Sequence, residues 1–290
     1  MNIVEPVGLE SKTEEALRAL RANKPVMLYG PSGTGKTIVA WQLANLIAKE
    51  QKNNVIYLQL YPEVTKNVII GGETIKNGNI VVDVGPILSL GGNQTKSGAT
   101  FIIDECTHAT EPALLGFNSL IEAPFQTVVG AKVHELHEKT RFIFAGNTPD
   151  HEGNVALPQS FANRLYVIDF PVPPRDVLEK IVSTVAVVKV GEPEAQLQNF
   201  IIGIAEKIRS NEFSLSPRNL INCMLMLKEA KGTGYSPGAK MSKVAPALIK
   251  ALQALDIHPD KARSIILATL LGNIVMKNNG PDKVKALLWE

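Results

Sequence analysis

A glycine-rich loop between a predicted strand and a predicted helix most limits what this chain can fold into. The pattern G-x-x-x-x-G-K-[ST] is met by eight consecutive residues, namely Gly30, Pro31, Ser32, Gly33, Thr34, Gly35, Lys36 and Thr37. The apolar run Val26–Tyr29 precedes them, and a helical pattern follows as far as Lys49. Glycines let backbone amides turn inward around phosphate oxygens, and the following helix directs its positive end at the same charge. The order strand, loop and helix therefore predicts an α/β nucleotide-binding fold.

The loop and a later acidic pair together predict nucleotide hydrolysis. Lys36 is expected to bridge the β and γ phosphates, and Thr37 is expected to place its hydroxyl on Mg²⁺. Further along, Asp104 and Glu105 end the apolar run 101–103. Carboxylates at the end of a strand lie at the edge where open α/β sheets bind ligands. Asp104 is therefore a candidate for the Mg²⁺ shell, and Glu105 is a candidate for orienting and polarising the attacking water.

Apolar runs that alternate with helical segments such as 112–122 predict a mostly parallel sheet covered by helices. The predicted strands are residues 26–29, 55–61, 101–103, 141–145 and 166–170. After three prolines at 171, 173 and 174, helical patterns follow over residues 175–189, 194–209, 217–231, 243–255 and 260–276. The predicted organisation is an α/β nucleotide-binding domain over residues 1–170, a helical domain over 171–231 and an additional helical segment over 232–290.

Composition excludes several other classes of protein. The chain has 290 residues, of which 45% are hydrophobic and 20% charged, so it can bury a sizeable core and is not mainly disordered. A net charge of +2 is too small to draw the chain strongly onto nucleic acid or membrane. The cysteines Cys106 and Cys223 make no disulfide framework and are expected to be buried. Without a signal-like start or an apolar run of ~20 residues, we expect a soluble, cytoplasmic protein with no membrane insertion.

A run of short motifs follows the acidic pair in a recognisable order. The motifs are Ile121-Glu122, Val128-Val129-Gly130, Phe142-Ile143-Phe144-Ala145, Leu157-Pro158 and Asn163-Arg164-Leu165. In this order they resemble the AAA+ ATPases, and within them the MoxR-type branch (helix-2-insert group), over roughly residues 5–230. The resemblance implies a P-loop α/β domain followed by a helical lid. It also implies ATP and Mg²⁺ as cofactors and a homo-oligomeric, hexameric ring.

The resemblance assigns roles to two polar residues of the α/β domain. Asn147, just past the fourth predicted strand, would be sensor 1, an amide that helps Glu105 hold the water. The branch tends to carry Asn directly before Pro, where this chain has Thr148, so Thr148 is the alternative. Arg164 would be the arginine finger that reaches the nucleotide of the neighbouring subunit, which can be worth roughly 10³ to 10⁵ in rate.

A third polar residue, Arg218, would be sensor 2 in the segment 214–218 of the lid. Ser216 is a good helix cap and Pro217 suits the first helical position, which places Arg218 in the first turn. A basic side chain there is unfavourable against the helix dipole, so a nearby phosphate would explain it. Whether Arg218 serves the nucleotide of its own subunit or of a neighbour stays open.

Two predicted hairpins also match the branch. Residues 68–84 contain two β-prone segments around Asn77-Gly78, and residues 126–136 contain two around Gly130-Ala131. Such hairpins line the central pore of the family's rings, and an ordinary surface hairpin is the alternative reading. The chain departs from the branch at Thr107 and His108, where an Asn-Arg pair is usual.

The resulting prediction is Mg²⁺-dependent ATP hydrolysis by a ring that remodels or activates an unidentified protein client, as MoxR chaperones do. The alternative is a nucleic-acid translocating motor or loader, as in restriction systems and helicase relatives. It predicts basic hairpin tips, where only Lys76 and Lys132 are present. A monomeric P-loop kinase is a third possibility, but it leaves Arg164 and Asn147 without a joint explanation.

The sequence predicts neither a zinc site nor a GTPase. His134 and His137 are three residues apart, whereas a helical zinc pair needs a spacing of four, and alternation predicts a strand there. The Asn-Lys-x-Asp pattern of GTPases is missing, because Asn23-Lys24 is followed by Pro25-Val26 and precedes the glycine loop. ATP is therefore favoured over GTP.

Overall fold

The computed structural model describes residues 8–149, 156–188, 193–209, 216–236 and 246–271. The residues cluster into two compact units, Met1–Pro171 and Val172–Glu290. Both cysteines are buried free thiols, as predicted. Within the described ranges, no helix is long and apolar enough to cross a membrane.

A five-stranded parallel sheet forms the centre of the first unit. The strands in the described part of the chain are β1 Val26–Tyr29, β2 Asn54–Gln59, β3 Gly71–Lys76, β4 Asn79–Val84, β5 Ala99–Asp104, β6 Gln126–Val129, β7 Lys132–Glu135, β8 Arg141–Gly146 and β9 Tyr166–Asp169. The sheet has the order β2-β5-β8-β1-β9, and every neighbouring pair is parallel. These are the five strands that the sequence predicts, so the α/β P-loop fold is confirmed. Because parallel strands end at one edge, the segments that follow β1, β5 and β8 meet there.

Helices cover both faces of the sheet, because side chains of a strand alternate between its two faces. The helices of this unit are α1 Glu10–Arg21, α2 Lys36–Gln51, α3 Lys66–Ile69, α4 Pro86–Gly91, α5 Glu111–Leu115, α6 Asn118–Ile121 and α7 Gln159–Ala162. Val26 and Leu28 pack into a core shared with α1 and α2. Met27, between them in sequence, packs into the opposite core with Phe101 and Phe144.

The predicted single helix over residues 112–122 is wrong, because the chain forms the two short helices α5 and α6 instead. The Phe117 amide donates to the Leu114 carbonyl, three residues back, at 3.0 Å, which tightens the turn. The Phe117 ring is fully buried, and its centroid lies 5.3 Å from that of Phe144 in an edge-to-face pair. We attribute the division into two helices to this core packing, which no local sequence pattern predicts.

Strand β8 is fastened at its start by a buried guanidinium. Arg141 is 8% exposed, and its Nε donates to the Leu20 carbonyl at 2.9 Å. Its NH1 donates to the carbonyls of Glu138 and Thr140 at 2.7 and 2.9 Å. Burial lowers the pKa of Arg141, while Glu138 acts in the opposite direction. These bonds compensate the burial of the charge and tie β8 to the end of α1.

Both predicted hairpins are confirmed. Strands β3 and β4 pair antiparallel around Asn77 and Gly78, whose φ values of 53° and 79° are those that a two-residue hairpin turn requires. Strands β6 and β7 pair around Gly130, at φ 60°. A Cβ on Gly130 would lie 2.6 Å from Cγ2 of Val82, so the second hairpin's turn approaches β4 closely. His134 lies in β7, as its alternation predicts.

The second unit is helical in its described ranges. Its helices are α8 Arg175–Val185, α9 Pro193–Arg209, α10 Pro217–Glu229, α11 Pro246–Ala254 and α12 Pro259–Ile266, followed by a π-helical turn at Leu267–Leu271. Apolar side chains from all five helices share one core, including Val182, Ile201, Leu220, Leu248 and Ala262. Helix α8 ends earlier than its pattern predicts, and Val187 beyond it is left-handed, at φ 52°. Residues 272–276 of the last predicted helix lie outside the described residues.

Candidate nucleotide-binding site

The glycine loop joins β1 to α2 in a conformation that depends on its glycines. Gly33 and Gly35 have φ values of 78° and 97°, where side chains are unfavourable, and α2 begins at Lys36. Gly30 lies so close to the chain after β9 that a Cβ would stand 2.2 Å from the carbonyl oxygen of Phe170. The loop is thereby held against the sheet at its start and opens onto the N-terminus of α2.

Substituting Gly30 by Ala is expected to lower the free energy of unfolding by about 2 kcal/mol or more, because a methyl group would overlap backbone. The melting temperature measured by calorimetry checks this expectation. Gly203→Ala is the control, since its added methyl meets nothing within 4 Å. If Gly30→Ala melted at the temperature of the unmodified protein, the close approach to Phe170 would be refuted.

Lys36 is turned into the loop. Its side chain is buried, and Nζ donates to the carbonyl oxygens of Gly30 and Pro31 at 2.8 and 2.7 Å. The loop therefore presents a positive charge at the N-terminus of a helix, which is the chemistry that a phosphate group requires.

Thr37 and Asp104 meet beside the loop. The Thr37 hydroxyl donates to Oδ2 of Asp104 at 3.0 Å, and the Glu105 amide donates to Oδ1 at 2.9 Å. Asp104 is 7% exposed. A hydroxyl oxygen and a carboxylate at one point are hard oxygen ligands of the type that Mg²⁺ prefers, so the donor set fits this ion.

Tyr57 is a residue of this site that sequence reasoning missed. Its hydroxyl donates to Oδ2 of Asp104 at 3.1 Å. Burial, and then the charge of Asp104 and this hydrogen bond, raise the pKa of Tyr57 to about 12. In the sequence, Tyr57 is recognisable only as a hydroxyl side chain on a predicted strand. The pairing of β2 with β5 places that hydroxyl beside Asp104.

Glu105 lies directly after β5 and contacts the end of β8. Its backbone is left-handed, with φ 55° and ψ 34°. Nδ2 of Asn147 donates to its Oε2 at 2.9 Å, and Nδ1 of His108 lies 3.7 Å from the same oxygen. The Asn147 amide N–H donates to the Thr107 hydroxyl at 3.0 Å. Of the two residues that depart from the branch pattern, His108 thus lies beside the Glu105 carboxylate, and Thr107 holds the backbone of Asn147.

Of the two sensor 1 candidates, Asn147 is the one whose side chain reaches Glu105. The Thr148 hydroxyl is buried and has no hydrogen-bond partner within the described part of the chain. The structure therefore groups Lys36, Thr37 and Asp104 with Glu105, and it adds Asn147 and Tyr57 at the same edge of the sheet.

The two other predicted arginines are Arg164, in the first unit, and Arg218, in the second. Nε of Arg164 contacts Oε2 of Glu122 at 2.6 Å, and its NH1 donates to the Ser160 carbonyl. Arg218 belongs to the second unit, where it is exposed in the first turn of α10. Ser216 caps that helix and accepts the Asn219 amide at 3.4 Å, as predicted. Residues 214–215 of the predicted sensor 2 segment lie outside the described residues.

Residues 25–165 match the model of the AAA domain, dynein-related subfamily. This segment of the chain is therefore similar to AAA domains. Domains of this family are ATPase domains. A mutant of RuvB from Thermotoga maritima has the same fold, with a TM-score of 0.53 and 16% identity over 90% of this chain and 70% of that one.

Three curated proteins are similar to parts of the chain. The large subunit of replication factor C from Methanococcus vannielii is 32% identical over 39% of this chain and 25% of that protein. YojN of Bacillus subtilis is 26% identical over 65% of this chain and 62% of that protein. Midasin of Giardia intestinalis is 28% identical over 51% of this chain and 3% of that protein. The chain thus spans less than two thirds of each of these relatives.

Proposed function

We propose that this chain hydrolyses ATP with Mg²⁺ in the site formed by the glycine loop and the ends of β5 and β8. The contact between Asn147 and Glu105 is the observation that carries the proposal. It places a carboxylate, held by an amide, beside the Thr37 and Asp104 pair. A loop that only bound nucleotide would not need this second acidic group.

The residues divide the reaction between them. Lys36 and the loop amides bind the phosphates, and Thr37 with Asp104 would hold Mg²⁺, which supplies charge neutralisation on the phosphate oxygens. Asn147 donates to Oε2 of Glu105 and so orients a carboxylate that can accept a proton from water. The water oxygen forms a bond to the γ phosphorus, and the bond from that phosphorus to the bridging oxygen breaks. ADP takes the electron pair, and Glu105 takes the proton.

We propose further that the chain works as a hexameric ring, in which Arg164 acts on the nucleotide of the next subunit. Its side chain is 31% exposed, and Nε contacts the exposed Glu122. This placement suits a cation that is delivered to a neighbouring copy. Arg218 is proposed as sensor 2.

The two hairpins favour a protein client of the MoxR type over a nucleic acid. Ile75 and Ile80 face each other across β3 and β4, and they are 74% and 73% exposed. Lys76, a basic residue at this tip, is paired with Asp83 at 2.7 Å. An exposed apolar surface suits contact with protein, and a neutralised lysine contributes little to binding a phosphate backbone.

Substituting Lys36 by Ala is expected to abolish ATP binding and hydrolysis, since the cation that meets the phosphates is lost. Removing Mg²⁺ with EDTA is expected to abolish hydrolysis by the unmodified protein. Phosphate release and nucleotide binding measure both effects. Lys49→Ala, an exposed position on the same helix, is the matched control and should keep full activity. Undiminished hydrolysis by Lys36→Ala would refute the proposed site.

Double-stranded or single-stranded DNA is expected to change the ATPase rate by less than about twofold, because the hairpin tips offer few free cations. The rate is measured with each nucleic acid at low and at physiological salt. Strong stimulation that weakens as salt rises would favour the translocating motor over the protein remodeller.

A further inference from the structure

Tyr57 is a hydroxyl side chain that the glycine loop and the acidic pair do not include. It lies on β2, the edge strand of the sheet, and is paired in register with Ile102 of β5. Its ring stacks on Trp41 of α2, with 5.7 Å between ring centroids and 14° between ring planes. The stack supports the phenol from the helix that begins at Lys36, and the hydroxyl reaches Asp104 from the neighbouring strand.

Asp104 accepts hydrogen bonds from three separate parts of the fold. Oδ1 accepts the amide of Glu105 on its own strand end. Oδ2 accepts the hydroxyls of Thr37 on α2 and of Tyr57 on β2. An ionised carboxylate has about four lone-pair sites, so three donors determine its orientation and leave room for a further ligand.

We propose that Tyr57 is a positioning residue for the Mg²⁺ site, which holds the Asp104 carboxylate in the orientation that the ion requires. This inference rests on the proposed function. Mg²⁺ demands near-octahedral geometry, so a ligand that rotates binds it less well. Hydrogen bonds to metal-ligating side chains commonly contribute about 10-fold to 100-fold in metal affinity. Trp41 contributes indirectly, because its ring limits the motion of the Tyr57 ring.

The test compares Mg²⁺-dependent and Mg²⁺-independent nucleotide binding. The dissociation constant of a fluorescent ATP analogue, mant-ATP, is measured in EDTA and in excess Mg²⁺ for the Glu105→Gln protein, with and without Tyr57→Phe. The Phe ring keeps the stack on Trp41 and removes only the hydroxyl. We expect equal affinities in EDTA, and about 10-fold or more weaker binding by the Tyr57→Phe protein in Mg²⁺.

Two further variants make the result specific. Tyr61→Phe, at an exposed tyrosine, is the matched control and should leave both constants unchanged. Trp41→Leu keeps the hydroxyl and removes the supporting ring, and it should give a smaller loss confined to the Mg²⁺ condition. A loss confined to the Mg²⁺ condition distinguishes metal positioning from a merely structural role, which would weaken binding in EDTA as well.

Two outcomes would overturn the inference, and they are distinguishable. If Glu105→Gln binds mant-ATP more tightly in Mg²⁺ and Tyr57→Phe keeps that gain in full, Tyr57 does not position the metal ligand, while the proposed function stands. If Glu105→Gln binds no mant-ATP in either condition, the proposed function fails and this inference fails with it.

Discussion

Replacing Glu105 with Gln is expected to leave ATP binding within about twofold and to lower hydrolysis by about 100-fold or more, because an amide cannot accept the proton of the attacking water. The substitution keeps the shape of the side chain, and its carbonyl oxygen can still accept the hydrogen bond from Asn147. Binding of mant-ATP and release of phosphate measure the two quantities separately.

The control for this experiment is Glu111→Gln, an exposed carboxylate six residues along the chain in the first turn of α5. It should hydrolyse ATP at the rate of the unmodified protein. Turnover of Glu105→Gln at the normal rate would show that another group accepts the proton, and the assignment of Glu105 would be withdrawn.

An Arg164→Ala protein is expected to bind ATP and to hydrolyse it about 10³-fold more slowly or worse, because the cation that stabilises the γ phosphate in the transition state is missing. A Lys36→Ala protein is also expected to be inactive, because it does not bind ATP. A mixture of the two should regain activity, since an intact loop in one subunit can meet an intact arginine in the next. In a ring with head-to-tail contacts, random mixing in equal amounts places an intact loop opposite an intact arginine at about a quarter of the subunit interfaces.

Hydrolysis by the mixture, compared with the sum of its two components, is the deciding measurement. Arg18→Ala is the matched control, because Arg18 is also an arginine in a surface ion pair, with Glu14 on α1. It should be fully active alone. A mixture no more active than its components would mean that Arg164 does not act between subunits.

The sequence predicts the elements of the first unit better than it predicts their contacts. The five sheet strands follow from apolar runs, and the β3–β4 turn follows from Asn77-Gly78, because each of these signals is local. The break after Leu115 could not be predicted in this way, since it accompanies the burial of Phe117 against a strand that lies far away in the chain.

For the candidate site too, the sequence predicts local motifs better than it predicts contacts between distant parts of the chain. Motif spacing singled out Thr37, Asp104 and Glu105, and the structure brings these residues together, while their roles stay predictions. Tyr57 could not be found from motifs, because its importance depends on the place of β2 beside β5. Arg164 and Arg218 are assigned by resemblance, and the role proposed for Arg164 depends on a neighbouring copy of the chain.

Strand β8 is tethered at both ends, and this has a mechanical consequence. Arg141 anchors its start to three backbone carbonyls, and Asn147 at its far end is bonded to Glu105 and Thr107. A strand fixed in this way resists bending. The position of the Asn147 amide relative to Glu105 therefore depends in part on the anchor at Arg141, at the other end of the same strand.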